Sequence, residues 1–184
     1  MFKLKFYGLG GQGVVTATKI LSHAVSIFED KYAKTVPAYG HERRGAPVFS
    51  DLMFADTYIS LNSFVYEPDF VIVLDASITD KGINIGMGIH QNSILVVNTR
   101  DEISLKEIKD KYGFKTIYWV NATQIALDLF GHNIPNSAML GVIARAGIVK
   151  LDSITKSLME LFKGKNGEKN VQAAQKAFEK TRKS

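Results

Sequence analysis

The sequence predicts a single layered α/β domain over residues 1–184, built on a mostly parallel sheet with helices on both faces. A glycine-rich turn follows the first strand, and the C-terminal end is helical. Three observations predict this. The run Gly8-Leu9-Gly10-Gly11-Gln12-Gly13 stands between an alternating apolar segment and a stretch of helical periodicity, which reads as strand, turn and helix. Three nearly continuous apolar runs, 70–74, 93–97 and 115–120, are each followed at once by a polar residue: Asp75, Asn98 and Asn121. Such runs suit strands of a parallel sheet covered on both faces. Segments with apolar residues at helical spacing separate them.

Taken in order, residues 2–6 alternate Phe-Lys-Leu-Lys-Phe and form the first strand. A helix follows over 14–28, then a second strand over 32–36 that runs into Pro37-Ala38-Tyr39. Residues 47–55 alternate, and Asp56-Thr57 reads as a turn into Tyr58-Ile59. That pattern predicts an antiparallel addition to the sheet. Further helices are predicted over 104–112, 122–130, 136–147, 152–162 and 168–182. Pro135 stands near a helix start, where its missing N–H costs nothing. Gly131 and Gly147 fall where helices stop. Lys163-Gly164-Lys165-Asn166-Gly167 reads as a linker between the last two helices. The polar residues that follow the apolar strands belong at the carboxyl edge, where open α/β sheets bind their ligands.

Composition narrows the function. With 46% apolar residues the chain can bury a substantial core. No stretch approaches the roughly 18 uninterrupted apolar residues of a membrane span. No signal-peptide pattern precedes the first strand, and a cytoplasmic location is expected. There is no cysteine, which rules out disulfides, thiolate nucleophiles and cysteine-held zinc or iron–sulfur clusters on this chain. The net charge of +5 comes entirely from residues 163–184, which hold seven basic and two acidic residues. Only Phe178 supplies an aromatic ring there, so the tail reads as a solvated helix or a subunit contact rather than a nucleic-acid surface.

Two segments carry candidate chemistry. Gly8, Gly10 and Gly13 fit the dinucleotide pattern G-x-G-x-x-G. A dinucleotide fold also needs an acid at the end of the second strand for the ribose. Here Glu29 and Asp30 precede that strand, so the ribose reader is missing. What remains is a turn that lets a ligand or another backbone approach a helix N-terminus. The second segment is Tyr39-Gly40-His41-Glu42-Arg43-Arg44-Gly45-Ala46-Pro47. Arg43 and Arg44 can each clamp a phosphate or carboxylate, with Glu42 orienting one of them. The plainer reading is a loop in which Glu42 pairs with an arginine to hold its own shape or to meet a partner subunit.

The other patterns are weaker. His23, His41, His90 and His132 show no metal-ligand spacing, and neither a nucleophile elbow nor a P-loop is present. Asn136 or Ser137 opens a helix, either as a simple cap or facing a ligand or partner.

Together and in this order, these segments resemble the gamma subunit of the 2-oxoacid:ferredoxin oxidoreductases. The resemblance rests on Gly8 to Gly13, on Glu42-Arg43-Arg44-Gly45-Ala46-Pro47, and on Pro68-Asp69 leading into the strand that ends at Asp75. It continues through Val97-Asn98, Asn121-Ala122-Thr123 with Ile125-Ala126, and Asn133 to Gly141, and ends on Phe162-Lys163-Gly164-Lys165 with Asn170. It spans nearly the whole chain. Asn121 departs from the family, which often has Asp there.

The resemblance implies a complex that decarboxylates a 2-oxoacid on thiamine diphosphate and Mg²⁺. Such a complex passes electrons through iron–sulfur clusters to ferredoxin and delivers the acyl group to coenzyme A. No cofactor is expected on this chain alone: it has no cysteine and no G-D-G followed by a distant Asn-Asn. The cofactors are expected on alpha, beta and delta partners. The form of the arginine motif resembles the pyruvate branch, with 2-oxoisovalerate next. The 2-oxoglutarate branch tends to carry a single arginine followed by paired glycines.

The expected chain is therefore inactive alone and self-associates as a dimer when isolated. It has no catalytic residue and no metal ligand. Gly10, Gly11, Gln12, Gly13, Glu42, Arg43, Arg44 and Asn136 are the candidates for contact with coenzyme A, substrate or another subunit. The alternative is a stand-alone small-molecule or nucleotide-binding domain that uses the glycine-rich loop.

Overall fold

The computed structural model describes residues 1–38, 44–100 and 102–184. Glu42 and Arg43 lie outside the described residues. The strands are β1 (Phe2–Leu9), β2 (Tyr32–Ala38), β3 (Pro47–Ala55), β4 (Phe70–Val73), β5 (Ile94–Asn98), β6 (Thr116–Val120) and β7 (Arg182–Lys183). They form one sheet in the order β2-β3-β1-β4-β5-β6-β7. β1, β4, β5 and β6 pair in parallel, while β3 lies antiparallel between β1 and β2, and β7 antiparallel beside β6. β2 thus points the same way as β1. Among the described residues only β3 and β7 oppose the common direction, and the sheet is mostly parallel as expected.

The helices are α1 (Val14–Phe28), α2 (Glu102–Tyr112), α3 (Ala122–Phe130), α4 (Asn136–Arg145), α5 (Leu151–Leu161) and α6 (Lys165–Lys180). Their layering follows from the alternation of side chains along each strand. Phe70, Ile72 and Leu74 face a core shared with α1 and α3 to α6. Val71 and Val73 face the other core, closed by Leu105 and Ile108 of α2 and by Ile78. α4 is buried at every position from Asn136 to Ala144. A short helix of small and apolar residues on all sides needs cover all round. α1, α3, α5 and α6 supply it, with β5 and β6 beneath. Gly141 permits the α6 contact, because a methyl group there would overlap the Ala174 carbonyl.

Several expectations are corrected. Tyr58 and Ile59 are not a strand; β3 already has β1 on one edge and β2 on the other, so no edge is left for them. Ile59 instead packs with Met53 and Val65 beneath an irregular segment. The last helix stops at Lys180 rather than 182, and Arg182–Lys183 pair with Trp119 and Tyr118 of β6. The Arg182 guanidinium lies 5.2 Å from the Trp119 ring and the Lys183 ammonium 5.5 Å from the Tyr118 ring, so cation–π contact holds the strand that helical periodicity did not predict. The expected linker is shorter than 163–167, since α6 begins at Lys165 directly after Gly164 at φ 66°. Its Gly167 rests on the Phe162 carbonyl. A 3-10 helix, Ala76–Lys81, follows β4 and was not expected.

A partly buried charged pair lies away from the carboxyl edge. Lys5 Nζ lies 3.4 Å from Asp51 Oδ2, which also accepts from the Val65 amide at 2.7 Å. Burial raises the Asp51 pKa above the ordinary carboxylate value, against the opposing pull of the Val65 amide and Lys5. Burial first, and then the Asp51 charge, push the nearby Tyr7 phenol up to about 12. Among the described residues no helix is long and apolar enough to cross a membrane.

Candidate functional site

The chain leaves β1 and β4 toward opposite faces of the sheet. After β1 it enters α1 on one face; after β4 it enters the 3-10 helix, whose Ile78 packs on the other. Adjacent parallel strands whose connections diverge open a crevice at their carboxyl ends. The glycine turn and Asp75 border this crevice, and a cleft of about 960 Å³ opens along it.

The turn is shaped by its glycines. At Gly8 a methyl group would stand 2.6 Å from Val14 Cγ2, so the glycine lets α1 pack tightly on β1. Gly11 and Gly13 hold φ of 94° and 78°, the left-handed region that other residues enter at a cost. Gly13 is the residue before α1 and offers no capping side chain. The first bond into the helix runs from the Ala17 amide to the Gly13 carbonyl at 2.8 Å. The amides of Val14, Val15 and Thr16 precede it, and these three residues are among those that line the cleft. Such uncapped donors at a helix start favour an anion.

The turn is fastened on both sides. The Gly10 amide donates to the Ala46 carbonyl at 2.8 Å, and the Gly45 amide donates to the Gly10 carbonyl at 3.1 Å. These bonds carry Arg44, which is exposed, over the turn: a methyl group at Gly11 would be 3.7 Å from Arg44 Cγ. On the other side stands Asn136, the buried first residue of α4. Its Oδ1 accepts from the Ser137 amide at 2.8 Å, and its Nδ2 faces Gly13. Ser137 in turn donates to Asn170 Oδ1 at 2.6 Å, and Asn170 donates to the Asn166 carbonyl at 2.7 Å. The two C-terminal segments that carried the resemblance are therefore hydrogen-bonded to each other.

Gly10, Gly11, Gln12, Gly13, Arg44 and Asn136 thus meet in one cleft. The side chain of Gln12 is consumed within the protein, bonded to the Leu9 amide at 2.9 Å and to Asp75 Oδ2 at 2.5 Å. Sequence reading did not single out Asp75 or His132 as site residues, yet both line the cleft. For Asp75 the signal was its place directly after an apolar parallel strand. His132 follows a helix-stopping glycine and carried no such signal.

Two other edge residues have structural tasks. Asn98 donates to the Leu74 carbonyl at 2.8 Å and accepts from the Ala122 amide at 2.8 Å. Asn121 caps α3 by accepting from the Gln124 amide at 2.9 Å, a task Asn performs as well as Asp. The departure from the family at this position is therefore neutral for the cap. Among the described residues no three His, Asp or Glu side chains gather as a metal site.

Comparison with known proteins decides the family. The family profile "pyruvate ferredoxin/flavodoxin oxidoreductase" matches residues 3–180. The chain belongs to the gamma subunits of the pyruvate/2-oxoacid:ferredoxin oxidoreductases. It is 43% identical over 185 residues to the pyruvate/ketoisovalerate oxidoreductases common subunit gamma of Thermococcus kodakarensis, covering 98% of this chain and 97% of that one. It is 42% identical over 180 residues to the pyruvate synthase subunit PorC of Methanocaldococcus jannaschii, covering 97% and 96%. The crystal structure of pyruvate oxidoreductase subunit PORC from Thermotoga maritima superposes with a TM-score of 0.84 at 32% identity, over 100% of this chain and 98% of that one. This gamma-type chain is thus a subunit of an oxidoreductase complex.

Proposed function

We propose that the chain serves a complex that oxidises a 2-oxoacid, pyruvate first and 2-oxoisovalerate next, to acyl-CoA and CO₂ with ferredoxin as electron acceptor. The names of the relatives support the substrate class. Thiamine diphosphate, Mg²⁺ and the iron–sulfur clusters belong to alpha, beta and delta subunits. The residues of this chain do not fit those groups, since it has no cysteine and its described carboxylates and histidines do not cluster. The chain works in the cytoplasm, forms one functional unit over 1–184, and self-associates as a dimer when its partners are absent.

Its own contribution is to receive a phosphate of coenzyme A at the glycine turn. The uncapped first turn of α1, open to a cleft with Arg44 across Gly11, carries this reading. Helix amides and a guanidinium together suit a phosphate, and Arg44 supplies a planar pair of donors that lysine lacks. Arg44→Lys in the reconstituted complex tests it. The expected result is a raised KM for coenzyme A, with the KM for pyruvate unchanged. Subunits that separate more readily at an unchanged coenzyme A KM would make this loop an interface instead.

A further inference from the structure

Gln12 and Asp75 join the two loops that flank the crevice between β1 and β4. Gln12 is 6% exposed, and both ends of its amide are engaged. Oε1 accepts from the Leu9 amide at 2.9 Å, while Nε2 donates to Asp75 Oδ2 at 2.5 Å. The Leu9 bond fixes the orientation, because an amide turned over would set Nε2 against another N–H donor. The second carboxylate oxygen, Asp75 Oδ1, accepts from the Ser77 amide at 3.0 Å and the Ser77 hydroxyl at 2.6 Å.

The simplest task for Asp75 is to cap the 3-10 helix after β4. That needs only Oδ1 and leaves the Gln12 bond unexplained. Direct contact with an anionic ligand is ill-suited to a carboxylate. Asp75 thus acts only as an acceptor here: its two oxygens receive three donors from two loops. A charged acceptor makes each of those bonds stronger than a neutral one would.

We propose that Asp75 is a positioning residue of the cleft. Acting through Gln12, it holds the turn 10–13 so that the amides of Val14, Val15 and Thr16 stand open to the ligand. The inference rests on the coenzyme A reading above for the identity of that ligand. The position of the turn itself does not depend on that reading.

The chemistry supplies its own rescue. Asp75→Asn brings an amide donor against Gln12 or Ser77, and Gln12→Glu sets two carboxylates against each other. The double variant Q12E/D75N restores every bond with roles exchanged. The new glutamate accepts from the Leu9 amide and from the asparagine amide, whose oxygen still accepts from Ser77. The total charge is unchanged.

The test uses the reconstituted complex, with hydrogen exchange read on the segment 9–16 and steady-state kinetics read with coenzyme A varied. Each single variant should exchange faster there and raise the KM for coenzyme A roughly tenfold at little cost in kcat, and the double variant should recover most of both. Unchanged exchange in the single variants, or a double variant no better than the worse single one, would overturn the proposal. Faster exchange rescued by the double variant, with the coenzyme A KM unmoved throughout, would uphold the positioning role and overturn the coenzyme A reading.

Discussion

Gly13 and Asn136, 123 positions apart in the chain, are in contact: a methyl group on Gly13 would stand 2.5 Å from Asn136 Nδ2. The turn after β1 and the start of α4 are therefore fitted to each other at backbone distance. Gly13 also holds φ 78°, so it is constrained twice, by conformation and by space.

Gly13→Ala should destabilise the fold by about 2–4 kcal/mol, with strain in the left-handed region and overpacking against Asn136 each contributing. Asn136→Ala in the same background removes the two closest atoms, Nδ2 and Cγ, and leaves the Cβ at 3.1 Å and the backbone strain. The double variant should therefore lose less than the sum of the two single losses. Urea unfolding of the four proteins measures this coupling. Strict additivity would mean that the two residues do not share the space.

Gly141→Ala acts on a different contact. The added methyl group meets the carbonyl of Ala174 in α6, and main chain cannot move aside as a side chain can. α4 is enclosed by helices, so the strain has nowhere to relax. A loss of about 3 kcal/mol or more is expected, at the upper end for overpacking. The measurement is the urea midpoint. A loss below about 1 kcal/mol would show that α6 docks more loosely than its contact with α4 implies.

Asp51 makes a prediction about pH. Its folded pKa is raised, chiefly by burial, so the folded state binds the Asp51 proton more tightly than the unfolded state does. Its contribution to stability is present at low pH and lost as pH rises from the ordinary carboxylate range through the raised pKa. Asp51→Asn removes that titration. The stability of the wild-type chain relative to D51N should therefore fall across this window, by about 1.4 kcal/mol for every pH unit that separates the folded from the unfolded pKa. Urea midpoints for both proteins through the acid range check this. A relative stability that rises with pH would mean that Lys5 and the Val65 amide outweigh burial.

The sequence made the parallel half of the sheet legible because its strands are buried on both faces and read as unbroken apolar runs. The 70–74 run appears as β4 over Phe70–Val73, and its last polar neighbour, Asp75, stands at the crevice. The glycine turn was legible for a related reason: a strand ending and a helix starting within six residues requires special backbone angles. The antiparallel half was harder. β3 alternates in sequence like an edge strand, yet it lies inside the sheet with nearly every residue from Val48 to Ala55 buried. Its second partner is β2, and no local pattern encodes that pairing.

Within the candidate site, Gly11, Gly13 and Arg44 could be named from the chain, because left-handed turns and guanidinium groups have few other uses in a loop. The Gln12–Asp75 bond could not, since it joins residues 63 positions apart through side chains that are each unremarkable alone. Asn136 was legible as a helix start and as a candidate contact, but not as the neighbour of Gly13. Its contact with Gly13 depends on α4 being buried on all sides, which a short run of small residues does not announce.

We propose that this gamma subunit leaves the redox cofactors of the complex to its partner subunits. The direct measurement is omission and add-back: the remaining subunits are assembled with and without this chain, and pyruvate-dependent acetyl-CoA formation is followed with ferredoxin as acceptor. Full activity is expected only with the chain present, with restoration on adding it back and none from the chain by itself. Undiminished activity in its absence, or pyruvate-dependent reduction by the rigorously purified chain alone, would contradict this proposal.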